Sequence, residues 1–463
     1  MTDNTMTTHR PVATGSSSLY RAIWRWHFFA GLLVLPFLLN LAVTGSLYLF
    51  KDEINNTVFA ARNVVSDSDA RVLPSQMIDA ALAAQPGAKA LSYREAPDAT
   101  HSAMITVSSD EGNRLVYVNP HDGKVLGAVK SDEEFNWVVK KIHSLDYFGV
   151  YANRLIEITG GFALVLVVTG FYLWWPRQQS GGVLSVRGTP SRRVFWRDMH
   201  AVTGALAGVM IFFLAATGMP WSGYWGSHAN AWLTANGYGY PAALWDAVPA
   251  SSKLTHHIVE QPGWIVEDAP VPQSKMDMAH MDMVHMAAKP IGLDAAVAIA
   301  RQAGIAPGFE MALPGGETGV YTASVYPDDL SKERTMHIDQ YSGQTLVDLS
   351  FGQFPAIGRM IEWGINVHQG QEWGMLNQML MLATCLAIVL MVVSAAIMWW
   401  KRRPSGRLGV PPMPPRKDVY LGLWVIAVVF GLAFPMSGIA IAAMVVFDQT
   451  ILRLAPALKR IFS

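Results

Sequence analysis

Five stretches of the chain, 28–50, 156–175, 202–220, 376–400 and 421–447, are apolar over the roughly 20 residues that a membrane-crossing helix needs. Between them the pattern changes. The segment after the first run holds "PSQMIDAALAAQPG", which has helical spacing, then "SAMITVSS" and "RLVYVNPHDGKVLGAV", whose apolar residues alternate as in half-buried strands. The segment after the third run holds "GLDAAVAIARQAG", then "VYTASVYP" and "RTMHIDQYSGQTLVDL". Each ends in a hairpin-like turn, at Asp122-Gly123 or Ser342-Gly343. The pattern predicts a mainly α membrane protein. Four core membrane helices form two duplicated pairs, each carrying a small α+β domain, and a fifth helix follows. Pro435 interrupts the last run, so a re-entrant segment is the alternative there.

Spacing supports the duplication. His27 is followed by Gly31 and by Thr44-Gly45, and His200 by Gly204 and by Thr217-Gly218, at identical offsets of 4 and 17. His143 precedes Trp174-Trp175, and His368 precedes Trp399-Trp400, both by 31. Gly149 and Gly374 each follow their histidine by six. The shift is 173 from His27 to His200 but 220 from Gly123 to Gly343, so the second half carries a net insertion of 220 − 173 = 47 residues.

Basic residues orient this layout. Arg10, Arg21 and Arg25 precede the first run; Arg177, Arg187, Arg192, Arg193 and Arg197 fill one link; Lys401, Arg402, Arg403, Arg407, Arg416 and Lys417 fill another. Such loops stay in the cytoplasm. The expected order is a cytoplasmic tail 1–21, helix 22–50 and outer domain 51–142. Helix 143–175 follows, with an outer extension, then basic loop 176–197 and helix 198–220. An outer insertion 221–290 and outer domain 291–367 come next, then helix 368–400 with an outer extension, basic loop 401–420, helix 421–447 and tail 448–463. The first run is expected to stay as an anchor.

Composition narrows the chemistry. Charged residues make up 15% of the chain, against about 25% in a soluble domain, and formal net charge is zero, which gives no reason to expect nucleic acid. A single cysteine, Cys385, excludes an internal disulfide, cysteine-rich zinc sites and four-thiolate iron–sulfur clusters. It also excludes thioether-linked haem. There is no G-x-G-x-x-G after a strand and no Walker A sequence. No nucleophile–histidine–carboxylate set can be placed, so no catalytic residue is assigned.

Ionisable groups within membrane segments are costly and usually functional. Two-fold related helices would bring His27 and His200 to one depth, and His143 and His368 to another. A facing pair of neutral imidazoles can cage haem iron, with Gly31 and Gly204 one helical turn along the same face to let a flat ring approach. Zinc is a competing reading, although two histidines fall short of its usual four ligands. An interfacial packing motif is the third.

The stretches "RWHFFAGLLVLPFLLNLAVTG", "IHSLDYFGVYANRLIEITGGFALVLVVTGFYLWWP", "RDMHAVTGALAGVMIFFLAATG" and "VHQGQEWG…MWWKRRP" resemble the PepSY-associated transmembrane family. "YVNPHDGKVLG" and "HIDQYSGQTL" resemble its PepSY domains, and the likeness covers about residues 20–403. The resemblance implies two non-covalent b-type haems on His27, His143, His200 and His368. It also implies an inner-membrane reductase of an external ferric siderophore or other metal complex. Electrons would come from a quinol or a cytoplasmic reductase. Roughly 20 helical residues span about 30 Å, so two haems would form a two-step wire.

Met276, Met278, His280, Met281, Met283, His285 and Met286 form two copies of M-D-M-x-H. Thioether and imidazole ligands suit cuprous copper, so copper handling is an alternative, with His228, His256 and His257 as further candidates. A second alternative is non-enzymatic: PepSY-like domains that bind a peptidase. Trp221, Trp225 and Trp232, with Tyr224, are expected in an interfacial aromatic belt. Arg154 and Glu157 are expected to pair.

Overall fold

The structure is a computed structural model that describes residues 15–177, 181–274, 289–412, 419–447 and 450. The Met/His tract at 276–286 lies outside the described residues. In chain order the helices are α1 (Gly15–Leu49), α2 (Lys51–Thr57), α3 (Ala60–Asn63), α4 (Pro74–Ala84), α5 (Phe135–His143), α6 (Val150–Trp174) and α7 (Arg193–Gly218). They continue with α8 (Trp225–Ala235), α9 (Leu293–Gln302), α10 (Ala356–His368), α11 (Met375–Arg402), α12 (Val419–Ala433) and α13 (Pro435–Val446). The chain divides into two compact units. A helix unit comprises 1–43, 149–225 and 383–463, and a sheet unit comprises 44–148 and 226–382.

Among the described residues, four helices are long and apolar enough to cross a membrane: α1, α6, α7 and α11. Small residues allow the close packing of the helix unit, because nothing drives helices together in lipid except shape and polar contacts. A Cβ on Gly161 of α6 would fall 2.0 Å from Ser437 Oγ, and one on Gly208 of α7 would fall 2.8 Å from the Phe171 ring. Trp174 and Trp399 explain half of each Trp-Trp motif. Their indole N–H groups donate to the carbonyls of Val183 and Leu408 and tie the following loop back to the helix end. Trp175 and Trp400 are exposed.

The expected fifth membrane helix is corrected. The run breaks at Phe434-Pro435 into α12 and α13, of 15 and 12 residues. In a straight helix Gly431 and Gly438 would lie about 10 Å apart along the axis. Instead a Cβ on Gly431 would come within 3.0 Å of the Gly438 Cα. The chain therefore turns back on itself, and the pair packs on α1 and α6 through Ala427, Ile441 and Val445 against Ala30, Val34 and Phe162.

In the sheet unit the strands are β1 (Lys89–Arg94), β2 (Ala103–Ser109), β3 (Gly112–Val118), β4 (Val125–Lys130), β5 (Ala250–Leu254) and β6 (Pro270–Pro272). β7 (Glu310–Ala312), β8 (Val320–Val325), β9 (Arg334–Asp339) and β10 (Thr345–Ser350) complete them. Eight join one antiparallel sheet, in the order β10-β9-β8-β7-β1-β2-β3-β4. The two expected outer domains are thus one continuous sheet, joined where β1 pairs with β7. Arg94 stands opposite Glu310 in that register and forms an ion pair with it at 3.0 Å. Above the seam Asp294 of α9 accepts from the N–H and hydroxyl of Ser75 on α4. Met77 and Ala81 of α4, with Val297 and Ala300 of α9, cover one common core with Tyr93, Ile105, Met311 and Ile338. The predicted hairpin turns are present, and Gly123 and Gly343 take left-handed φ values of 74° and 72°.

A further correction concerns His143 and His368. They do not lie on the membrane helices; each is the last residue of a short helix, α5 or α10. The chain then turns through Leu145 (φ 54°) or Gly370 (φ 81°), two residues later in each case. A leucine in that region is strained, whereas glycine adopts it freely.

The insertion builds a second core. Trp245, Trp264 and Ile265 pack with Val347, Leu349 and Ile365. Beneath it lies an acid cluster. Glu362 of α10 accepts from Ile265 N at 2.6 Å and from the Tyr326 hydroxyl at 3.0 Å. Glu333, 3% exposed, is close by; a Cβ on Gly263 would fall 2.1 Å from its Oε1 and 3.3 Å from Glu362 Oε1. Burial pushes Glu362 up to about 7, and burial plus the Glu362 charge pushes Glu333 well above the usual carboxylate range. Burial, with the charges of Asp268 and Glu362, pushes Glu267 up to about 8. The folded state thus binds more protons than the unfolded chain above pH 4.5, and stability is lost as pH rises through 7 to 8. Thermal melts of the sheet unit are expected to weaken between pH 5 and 8 by on the order of 1–3 kcal/mol, with a flatter profile in Glu362→Gln. A melting point independent of pH across that range would contradict the raised pKa values of the cluster.

Candidate paired-histidine cavity

His27 stands on α1 and His200 on α7, and both line a cavity of about 440 Å³ within the helix unit. Its walls include Leu35, Val167, Phe171 and Ile388, with Trp24, Phe28, Trp174 and Trp399 toward one end. Arg193, Arg197 and Arg402 line that same cavity. The Arg402 guanidinium lies over the Trp24 and Phe28 rings, 5.2 and 4.9 Å from their centroids. Apolar walls and cations therefore share one chamber.

The hydrogen bonds fix the state of both imidazoles. His27 Nδ1 is 2.9 Å from Thr169 Oγ1, and the Thr169 hydroxyl itself donates to the Val165 carbonyl at 2.7 Å. One hydroxyl hydrogen cannot serve both, so His27 donates from Nδ1. His200 Nδ1 is 3.1 Å from the Met391 carbonyl and 3.3 Å from Ser394 Oγ. A carbonyl only accepts, so His200 also carries its proton on Nδ1. In a neutral ring that leaves Nε2 with a free lone pair, the arrangement that a metal-ligating histidine needs. The two ring centroids are 6.4 Å apart and the planes stand at 87°.

Small residues keep the chamber open. A Cβ added to Gly31 would make only an ordinary contact, 3.9 Å from Leu166, whereas one on Gly204 would crowd Met391 at 3.2 Å. Gly170, not singled out by the sequence pattern, would place a Cβ 3.5 Å from His27 Cε1.

The structure brings His27 and His200 together in one cavity. His143 and His368 occupy matching helix ends in the sheet unit, and His143 Nδ1 is 2.9 Å from Thr44 Oγ1. Thr44 was visible in the sequence only as part of a repeated Thr-Gly pair. Thr169 and Ser394 were missed. Their separation, 394 − 169 = 225, equals 368 − 143, and that signal was available.

Other candidates take structural roles. His256 Nδ1 pairs with the Glu267 carbonyl, and His257 Nδ1 accepts from Leu254 N. Among the described residues no group of three or more His, Cys, Asp or Glu could hold a metal ion. Arg154 and Glu157 pair at 3.8 Å, but Glu157 Oε2 lies nearer to Tyr224 N and Trp225 N, at 3.0 and 3.3 Å. Trp225 stacks on Phe434 and donates to the Ala433 carbonyl, while Trp221 and Trp232 are exposed.

Four membrane-length helices around a histidine-lined chamber, with a separate antiparallel sheet unit, define a multi-pass membrane protein. The family model for the PepSY-associated TM region matches residues 24–402, and the chain belongs to that family. No curated protein matched the chain.

Replacing Thr169 by valine would strand the half-buried His27 Nδ1–H. The expected cost is about 1–3 kcal/mol, with near-normal stability in Thr169→Ser. Thermal unfolding of the detergent-solubilised protein checks this, and equal melting of the valine and serine variants would refute the tautomer assignment.

Proposed function

We propose that this protein is a di-haem b oxidoreductase of the bacterial inner membrane that carries electrons outward to reduce a ferric siderophore in the periplasm. The observation that carries the reading is the anchoring of both Nδ1 atoms, which leaves two Nε2 lone pairs in one apolar cavity. The chamber suits the group. A centroid separation of 6.4 Å leaves room for one metal ion between the rings, with metal–nitrogen bonds of about 2 Å. Zinc would lack ligands here, since no third His, Cys, Asp or Glu completes a metal-binding group among the described residues. A porphyrin brings four nitrogens of its own, needs flat apolar and aromatic walls, and carries two carboxylates that Arg193, Arg197 and Arg402 would neutralise.

His27 and His200 would hold the iron from either side, and bound haem supplies one-electron redox chemistry. Thr169 and Ser394 hold the rings in the ligating tautomer. Two protein ligands to the iron, His27 and His200, would favour electron transfer over oxygen binding. Leu35, Val167 and Ile388 exclude water from the chamber. The equal offsets extend the scheme to a second haem on His143 and His368. Thr44 would orient His143.

The topology follows from the basic loops, which face the cytoplasm by the positive-inside rule. Segments 51–142 and 221–367 would then lie in the periplasm. Electrons enter from a membrane quinol or a cytoplasmic reductase. Ferric iron is a hard ion held by hard oxygen ligands. One-electron reduction softens it, and the chelator lets go intact.

Protein purified from haem-replete cells is expected to show a reducible six-coordinate b-type spectrum. His27→Ala or His200→Ala should lose one of the two haems, and His143→Ala or His368→Ala the other. A colourless wild-type preparation would end the proposal.

A further inference from the structure

The helix unit shows charge of one sign at its surface. Its described residues include two acids, Glu157 and Asp198, which are 1% and 0% exposed. Asp198 is occupied by the chain itself. It accepts from Arg187 N and Nε at 3.1 and 2.8 Å, and from Arg197 Nε at 2.9 Å. The two arginine side chains nevertheless stay 42% and 44% exposed. Arg192, Arg193, Lys401 and Arg407 are exposed as well.

These cations share one end of the unit. Lys401, near the end of α11, donates from Nζ to the Ser191 carbonyl at 2.9 Å, just before α7 begins. Arg25 of α1 donates to the Pro411 carbonyl. Trp174 and Trp399 tie the loops that hold Val183 and Leu408 to the ends of α6 and α11. The result is a braced basic plate, with Leu184, 70% exposed, as an apolar contact within it. The plate lies at the end of the paired-histidine cavity, because Arg193 and Arg197 line that cavity and are exposed too. Arg197 precedes His200 by three residues, a rise of about 4.5 Å along a helix.

The positive-inside rule explains only part of this. It counts Lys and Arg and is nearly indifferent to Asp and Glu, so it accounts for the cations but not for the lack of exposed acids among the described residues. A field unbroken by counter-charge is the arrangement that steers an oppositely charged partner.

We propose that this plate docks a soluble, acidic one-electron carrier protein of the flavin or iron–sulfur class. The proposal rests on the reductase reading and selects between its two electron sources. A quinol is uncharged and arrives through lipid, so it gains nothing from the plate. Anionic lipid headgroups meet the rim of a helix bundle, whereas Arg193 and Arg197 stand at the end of its internal cavity. Cations drawn from α7, α11 and two loops suit a broad protein face better than a single phosphate. On docking, the reduced carrier loses one electron and the group held by His27 and His200 gains it; no bond breaks and no proton moves. The chain has no dinucleotide motif of its own, which fits supply by a separate protein.

Docking can be read apart from electron transfer. Full-length protein in nanodiscs of zwitterionic lipid is titrated with an oxidised [2Fe–2S] ferredoxin of strongly negative net charge. Saturable binding is expected, weakened at least tenfold between low and high salt. Arg192→Glu combined with Arg407→Glu, at exposed positions outside the cavity lining, should weaken it at least tenfold with the haem spectrum unchanged. In stopped flow, reduced ferredoxin should reduce the wild type at a salt-sensitive rate that falls at least tenfold in the double variant, while a water-soluble quinol reduces both equally slowly. Absence of saturable binding, or binding and reduction that the double variant leaves intact, would overturn the proposal. So would a double variant that loses only bound anionic lipid. Reduction by the quinol but not by ferredoxin sinks the docking plate and leaves the reductase reading standing. Charge-dependent ferredoxin binding to a protein that carries no haem sinks the reductase reading and leaves the plate.

Discussion

An imidazole set among apolar helices gains by pairing its N–H, and that pairing joins the helices of the helix unit. Thr169 on α6, and the Met391 carbonyl with Ser394 on α11, accept from His27 and His200. Each bond ties two helices together: α1 to α6, and α7 to α11. By consuming the Nδ1 proton it also determines which nitrogen stays free. Helix packing and ligand chemistry thus depend on the same two contacts. The glycines serve the same end. Gly208 and Gly161 let backbones approach where a side chain would collide, while Gly31 leaves open volume.

The sheet unit solves a different problem. A four-stranded half has an exposed edge at β1 or β7, and an unpaired edge invites unwanted association. Pairing β1 with β7 removes both edges at once and places Arg94 against Glu310 across the seam. A separate acid cluster lies elsewhere in the sheet unit. Glu333 and Glu362 are buried close together, which raises their pKa values, because burial disfavours the charged form and two charges in a low-dielectric interior repel strongly. Glu362 lies on α10 six residues before His368, so this cluster sits on the helix that carries a proposed haem ligand.

Much of the candidate site was legible in the chain. Equal offsets singled out His27, His200, His143 and His368, and apolar run length located four membrane helices, because covalent spacing and transfer from water are properties that a linear sequence carries. Partners distant in sequence were not. Thr169 shares the repeat offset with Ser394, but only folding sets it beside His27, 142 residues away. The fifth run read as a spanning helix because hydropathy records composition, whereas the Gly431–Gly438 approach that reverses the chain is a contact.

The sequence by itself determined the class of protein, the apolar lengths and the repeated histidines, since these depend on local chemistry and periodicity. Tertiary structure alone decided that two sets of strands form one sheet, that His143 and His368 end short helices, and which imidazole nitrogens stay free. Those outcomes turn on which surfaces meet, and hydrogen-bond and packing complementarity between remote segments has no signature in local spacing.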